Sequence, residues 1–196
     1  MPTYHPDLND LHAWDKNFVW HAFTQMAEYE PLLIERGEGV YLFDTDGNRY
    51  IDGSASMWCN VHGHRHPRLD GAITNQLSKV AHTTNLGLSN PTTVLLAQRL
   101  AEITPKGLEK VFFSSDGSSA TEAALKIAFQ YWHQSEVEGD THPPQSTSHR
   151  TKFVSLGEAY HGDTLGAIGV GGVDRFTSIF SPLTFESIRV PGPGMT

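Results

Sequence analysis

The stretch that most constrains this chain is Lys110–Ala128, KVFFSSDGSSATEAALKIA, which reads as a strand, a turn and a helix. Lys110–Ser115 is a short β-branched and aromatic run suited to a buried strand. Asp116-Gly117-Ser118 is the turn. Ser119 and Glu122 stand at capping-box spacing, and Ala120, Ala123, Ala124, Ile127, Ala128 and Tyr131 recur at helical intervals. Such a turn aims backbone N–H groups, serine hydroxyls and the positive end of a helix at one point, which suits a phosphate. A serine-rich cap on a structural helix explains the same residues. Neither GxGxxG nor GxxxxGKS/T occurs, so a site for one phosphate monoester is expected over a dinucleotide or nucleoside-triphosphate cradle.

Around that unit the pattern is mixed. Residues 1–30 are aromatic-rich and read as irregular. Pro31–Asp52 reads as a β-meander with a tight turn at Asp46-Gly47-Asn48. Helices are expected over Pro67–His82, with Pro67 in the first position, and from Asn90-Pro91 to about Ile103. Residues 134–151 are polar with Pro143-Pro144 and read as a surface loop. The strand KFVSL (152–156), the loop GEAYHGDT and a Gly-rich helical stretch follow. Helices alternating with strands after residue 67 predict an α/β fold with a largely parallel sheet. The expected division is an N-terminal segment with the meander over 1–60 and an α/β domain over 61–196. The loop chemistry of VPGPGMT suggests that the chain is the N-terminal part of something longer.

Bulk properties narrow the function classes. Apolar residues make up 38% of the chain, enough for a core, so disorder is not expected. A net charge of −8 with scattered basic residues argues against nucleic acid as the main partner. The single Cys59 excludes an intramolecular disulfide and fits a reducing compartment. No basic-then-apolar leader or membrane-length run is visible, so a cytoplasmic protein without membrane contact is expected.

Two further clusters carry possible chemistry. Tyr160-His161-Gly162-Asp163 follows a strand, where open α/β sheets place ligands, and Tyr160 suits stacking on a planar ring. An ordinary loop tyrosine is the plainer reading, and His161 reads as structural. His62-Gly63-His64-Arg65-His66 invites a metal reading, but no second ligand group accompanies it and Arg65 would oppose a cation, so no metal is expected. A Ser-His-Asp nucleophile lacks its GxSxG elbow.

Three motifs coincide in order: WHAFTQM (20–26), SASMWCNVHGHRHP (54–67), and FFSSDGSSATEAALKIAFQYW followed by EAYHGDT. Together they resemble the class III aminotransferases, pyridoxal-phosphate enzymes of fold type I, over almost the whole chain. The likeness is greatest to the branch serving biotin synthesis, which implies an amino-ketone acceptor with S-adenosylmethionine as donor. The fold class implied is the N-terminal part of a fold type I transferase, joining a small-domain meander to the first part of the PLP-binding large domain. Gly117 and Ser118 would hold the cofactor phosphate. Tyr160 would stack on its ring and help form the substrate pocket, which Phe23, Met57 and Trp58 would line. Glu122 would orient the phosphate helix. The family often has Pro at the place of Ala22, Tyr or Phe at Phe23 and Trp at Met57, which leaves the reaction class untouched and the donor open. A homodimer acting on small molecules is implied for the full-length protein.

Pyridoxal chemistry also needs a Schiff-base lysine and an acid on the pyridinium nitrogen. The lysines here are Lys16, Lys79, Lys106, Lys110, Lys126 and Lys152, and none has the family's Schiff-base context. No catalytic residue is therefore assigned within the chain, and by itself it is expected to be inactive. The alternatives are another class III ω-amino acid or amine–pyruvate transaminase, and a non-catalytic remnant that binds a phosphate ligand or pairs with another subunit.

Overall fold

A computed structural model describes residues 7–134 and 150–193. The polar stretch expected to loop over 134–151, and the last residues of VPGPGMT, lie almost wholly or partly outside the described residues. Two units are distinguished, Met1–Asn90 and Pro91–Thr196.

In the first unit, α1 (Leu8–Phe18) replaces the irregular segment expected there. Asp7 caps it, accepting the Asn9 N–H at 2.8 Å, and Leu8, Leu11 and Phe18 recur at helical intervals. The meander forms as expected. Strands β1 (Ile34–Glu38), β2 (Tyr41–Asp44) and β3 (Arg49–Ile51) pair antiparallel in chain order. Its tight turn is tied by the buried Asp44. That carboxylate accepts from the Asp46 and Asn48 N–H groups (3.0 and 2.8 Å), the Asn48 amide (3.0 Å) and the Tyr50 hydroxyl (2.8 Å). The Asn48 amide leads the bonds that lower its pKa, against the opposing effect of burial.

A single turn, α2 (Ala55–Trp58), is left-handed: Ala55, Ser56, Met57 and Trp58 have φ of 50, 48, 59 and 59°. Then α3 (Pro67–Leu77) starts with its proline in the first turn, as expected. It ends before His82 because the Lys79 N–H turns back to the Gln76 carbonyl (3.0 Å) and the Gln76 amide takes the Val80 carbonyl (2.9 Å).

The second unit opens with α4 (Pro91–Ile103) and contains α5 (Gly117–Gln134), β4 (Val154–Leu156), α6 (Leu165–Val170), α7 (Asp174–Thr177) and β5 (Ile188–Val190). Strands β4 and β5 pair in parallel, matching the expected sheet type, with Val154 opposite Ile188. The strand expected over Lys110–Ser115 forms no ladder. A strand exists only through the neighbour it bonds to, and among the described residues of this unit β4 and β5 pair only with each other. Among the described residues, the buried apolar side chains Ala167, Ile168 and Val170 all lie on α6. Phe185 closes on that helix so tightly that a Cβ on Gly169 would sit 2.9 Å from its ring.

Candidate functional site

The mouth of α5 is shaped by a residue other than the one its spacing suggested. Asp116, not Ser119, is the cap: its carboxylate accepts the Ser119 N–H at 2.8 Å and the Ser119 hydroxyl at 2.9 Å. These bonds, the backbone one first, hold the Asp116 carboxyl below its ordinary range. Asp directly before a helix-starting Gly was a readable cap signal. It competed with the Ser119–Glu122 spacing and prevailed because Ser119 already lies inside the helix, three residues past the cap.

Glu122 leaves its own helix. It accepts the Gly166 N–H at 2.8 Å and so ties α5 to α6. The Thr164 hydroxyl is the largest of the influences that lower its pKa, helped by the Gly166 and Ala167 N–H groups and by Lys126. Its carboxylate is thereby committed to the start of α6.

The loop after β4 returns to the same helix mouth. Ser118 Oγ accepts the Asp163 N–H at 3.3 Å, and the Thr121 hydroxyl donates to the His161 carbonyl at 3.2 Å. Between these bonds Gly162 is buried, with φ +117°; a Cβ there would overlap the Ser118 hydroxyl and come 2.9 Å from Ser118 Cα. The glycine is required by both conformation and space. Tyr160 donates to Asp163 Oδ2 at 2.7 Å, and the residue is 62% exposed, leaving room for a planar group. The bond to Asp163 is the main cause of its raised phenol pKa. Asp163 was part of that cluster but carried no role of its own in the expected site, although a carboxylate three residues after a loop tyrosine is within easy reach.

Gly117, Ser118 and Tyr160 therefore meet at one place in the second unit. A Cβ on Gly117 would find nothing within 4 Å, so there is open space before the first turn of an eighteen-residue helix. Helix end, open glycine, serine and half-free aromatic ring fit a planar cofactor carrying one phosphate. Phe23, Met57 and Trp58 lie in the first unit and are 89, 61 and 73% exposed as residues. All three have positive φ, Phe23 at 52°.

The histidine run is engaged in structure. His64 Nε2 bonds Asp52 Oδ2 at 2.8 Å, Arg65 Nε donates to Asp70 on α3 at 2.8 Å, and the His62 and His66 rings meet edge to face. Among the described residues no group of three or more metal-ligating side chains converges, and no helix is long and apolar enough to cross a membrane.

Comparison with known proteins bears on the whole of this arrangement. The family described as Aminotransferase class-III matches residues 23–195. Adenosylmethionine-8-amino-7-oxononanoate aminotransferase of Aquifex aeolicus is 50% identical over 190 residues, 95% of this chain and 40% of that protein. The crystal structure of the enzyme of that name from Methanocaldococcus jannaschii superposes with a TM-score of 0.84 at 45% identity, covering 97% of this chain and 42% of the other. A thermostable (S)-enantioselective omega-transaminase from Thermomicrobium roseum gives 0.82 at 34% identity, covering 97% and 41%. The chain thus spans about two fifths of the length of these relatives. The fold is that of a fold type I transferase, and the family uses pyridoxal phosphate. Because the match takes in the α5 mouth and the Tyr160 loop together with the meander and the left-handed turn, this chain belongs to the class III aminotransferases.

Proposed function

We propose that this chain is part of an aminotransferase that moves an amino group from S-adenosylmethionine to 8-amino-7-oxononanoate in biotin synthesis. The observation that carries the reading is identity of 45–50% over at least nine tenths of the chain to relatives bearing that enzyme's name. Pyridoxal phosphate, when bound, supplies the electron sink for the α-carbon. Gly117 and Ser118 would hold its phosphate at the α5 terminus, and Tyr160 would cover its ring with an orientation set by Asp163. Phe23, Met57 and Trp58 would line the substrate site. Residues 1–60 would belong to the small domain and 61–196 to the large one, in a cytoplasmic homodimer.

Two of the lysines are poorly placed for a Schiff base at this site. Lys16 is paired with Glu30 at 2.9 Å. Lys126 lies about 14 Å down the α5 axis from Gly117, at 1.5 Å per residue, and the cofactor would extend away from the helix mouth. A second reading, an ω-amine transaminase, is favoured by the 0.82 TM-score with the Thermomicrobium enzyme and by the adaptable Met57 side chain. The lower identity there, 34%, ranks it second.

Half-reactions of the purified holoenzyme separate the two readings. S-adenosylmethionine is expected to convert the cofactor to its amino form, and 8-amino-7-oxononanoate to return it. Conversion by a simple aryl-alkyl amine with return by pyruvate, and none by S-adenosylmethionine, would replace the first reading with the second.

A further inference from the structure

The left-handed turn needs an explanation of its own. Ala55, Ser56, Met57 and Trp58 include no glycine or asparagine, yet all four have φ between 48 and 59°. L-residues visit this region singly and at a cost, so an unbroken turn persists only where its surroundings dictate it.

The surroundings are specific. One oxygen of Asp52 accepts the Ser56 N–H at 2.9 Å, and the other accepts the Ser56 hydroxyl at 2.7 Å and meets His64 Nε2 at 2.8 Å. The Asp52 and His64 side chains are only 7 and 14% exposed. His64 is itself fixed to the hairpin between β1 and β2. Its N–H and C=O both bond to Gly39 (2.7 and 3.1 Å), and its ring lies so close over Gly37 that a Cβ there would come 2.7 Å from Cγ. A rigid path therefore runs from the meander through His64 and Asp52 to Ser56, the residue before Met57 and Trp58.

We propose that Asp52 is a positioning residue for substrate choice: its clamp on Ser56, anchored by His64, sets where Met57 and Trp58 stand. The proposal rests on the reading of Met57 and Trp58 as substrate-lining. With the clamp in place the turn is preorganised and both side chains are displayed in one arrangement. Without it the backbone relaxes toward right-handed or extended geometry and both side chains swing away together. Neither Asp52 nor Ser56 needs to touch substrate for this, and the clamp lies in a different unit from the α5 mouth.

The test uses the holoenzyme with Asp52→Asn, Ser56→Ala, Met57→Ala and Trp58→Ala, reading kcat and KM for donor and acceptor and the affinity for pyridoxal phosphate. Displacing substrate-lining groups by about an ångström is expected to raise KM for an amino substrate about ten- to hundredfold in Asp52→Asn. Ser56→Ala, which keeps the N–H bond, should produce a smaller rise in the same substrate. Cofactor affinity should hold. If Asp52→Asn fails to fold, Ser56→Ala carries the same comparison. Two results overturn the proposal alone: Met57→Ala or Trp58→Ala raises KM while the clamp variants do not, or the clamp variants lose cofactor affinity and substrate affinity in equal measure. If Met57→Ala and Trp58→Ala both leave KM unchanged for every substrate tried, the substrate-lining reading fails and takes the proposal with it.

Discussion

Gly162→Ala places a methyl group where the structure has no room for one. Two effects add. The backbone has φ +117°, which L side chains rarely adopt, and holding alanine there costs about 1–3 kcal/mol. The new Cβ would also overlap the Ser118 hydroxyl and approach Ser118 Cβ and Cα to 2.7 and 2.9 Å. The hydroxyl can rotate away, but Cα belongs to the first turn of α5, so the loop must shift, at about 1–3 kcal/mol for overpacking. The sum is about 2–6 kcal/mol. At the 2–4 °C per kcal/mol typical of a chain this size, melting should fall by about 5–20 °C. The shift also breaks the Asp163–Ser118 bond, so pyridoxal phosphate affinity should drop along with stability. Circular dichroism melts and fluorescence titration with the cofactor measure both. Gly71→Ala is the control of opposite sign: it sits inside α3 with nothing within 4 Å of the added Cβ, and alanine should stabilise by about 0.5–1 kcal/mol. A Gly162→Ala protein that melts and binds like the parent would refute the assigned packing of the Tyr160 loop on α5.

Other consequences are smaller and separable. Glu122→Ala removes the acceptor of the Gly166 N–H and should cost about 1–3 kcal/mol in denaturant unfolding, while Glu122→Gln, which keeps an oxygen there, should cost less. Asp52 is held from an ordinary 3.8 down to about 2, chiefly by the Ser56 N–H. A carboxyl depressed on folding contributes stability above its unfolded pKa and loses it as pH falls through the folded one. The first unit should therefore weaken between about pH 4 and pH 2, and Asp52→Asn should flatten that limb of a stability-versus-pH curve. Tyr160→Phe keeps the ring and loses the bond to Asp163, so cofactor affinity should fall only a few-fold. In a parent-minus-variant absorbance titration the phenolate of Tyr160 should emerge above pH 10.

Much of this protein was legible residue by residue. The hairpin at Asp46-Gly47-Asn48, the proline starts of α3 and α4 and the tyrosine after β4 are all signals written within a few neighbouring residues, and those features stand where the signals put them. The motifs they carry, in their order, were enough to indicate the family. The helix cap was also present as a local signal, and a second local pattern masked it. Other features needed the chain to return on itself. Glu122 and Gly166 are 44 residues apart, Ser118 and Asp163 are 45 apart, and Asp52 and His64 are 12 apart. No periodicity or spacing encodes such pairs. Ala-Ser-Met-Trp likewise contains nothing that favours a left-handed turn, because the energy that holds it there comes from a carboxylate anchored to the meander. The strand at Lys110–Ser115 is the converse case: its residues suit a strand, but a strand is completed only by a neighbour. Local chemistry thus determined which elements this chain can form and what kind of ligand it suits. Only tertiary structure decided which carboxylate joins α5 to α6, what anchors the Asp52 clamp, and where Met57 and Trp58 are held, since each of those outcomes depends on groups that folding alone brings within hydrogen-bond distance.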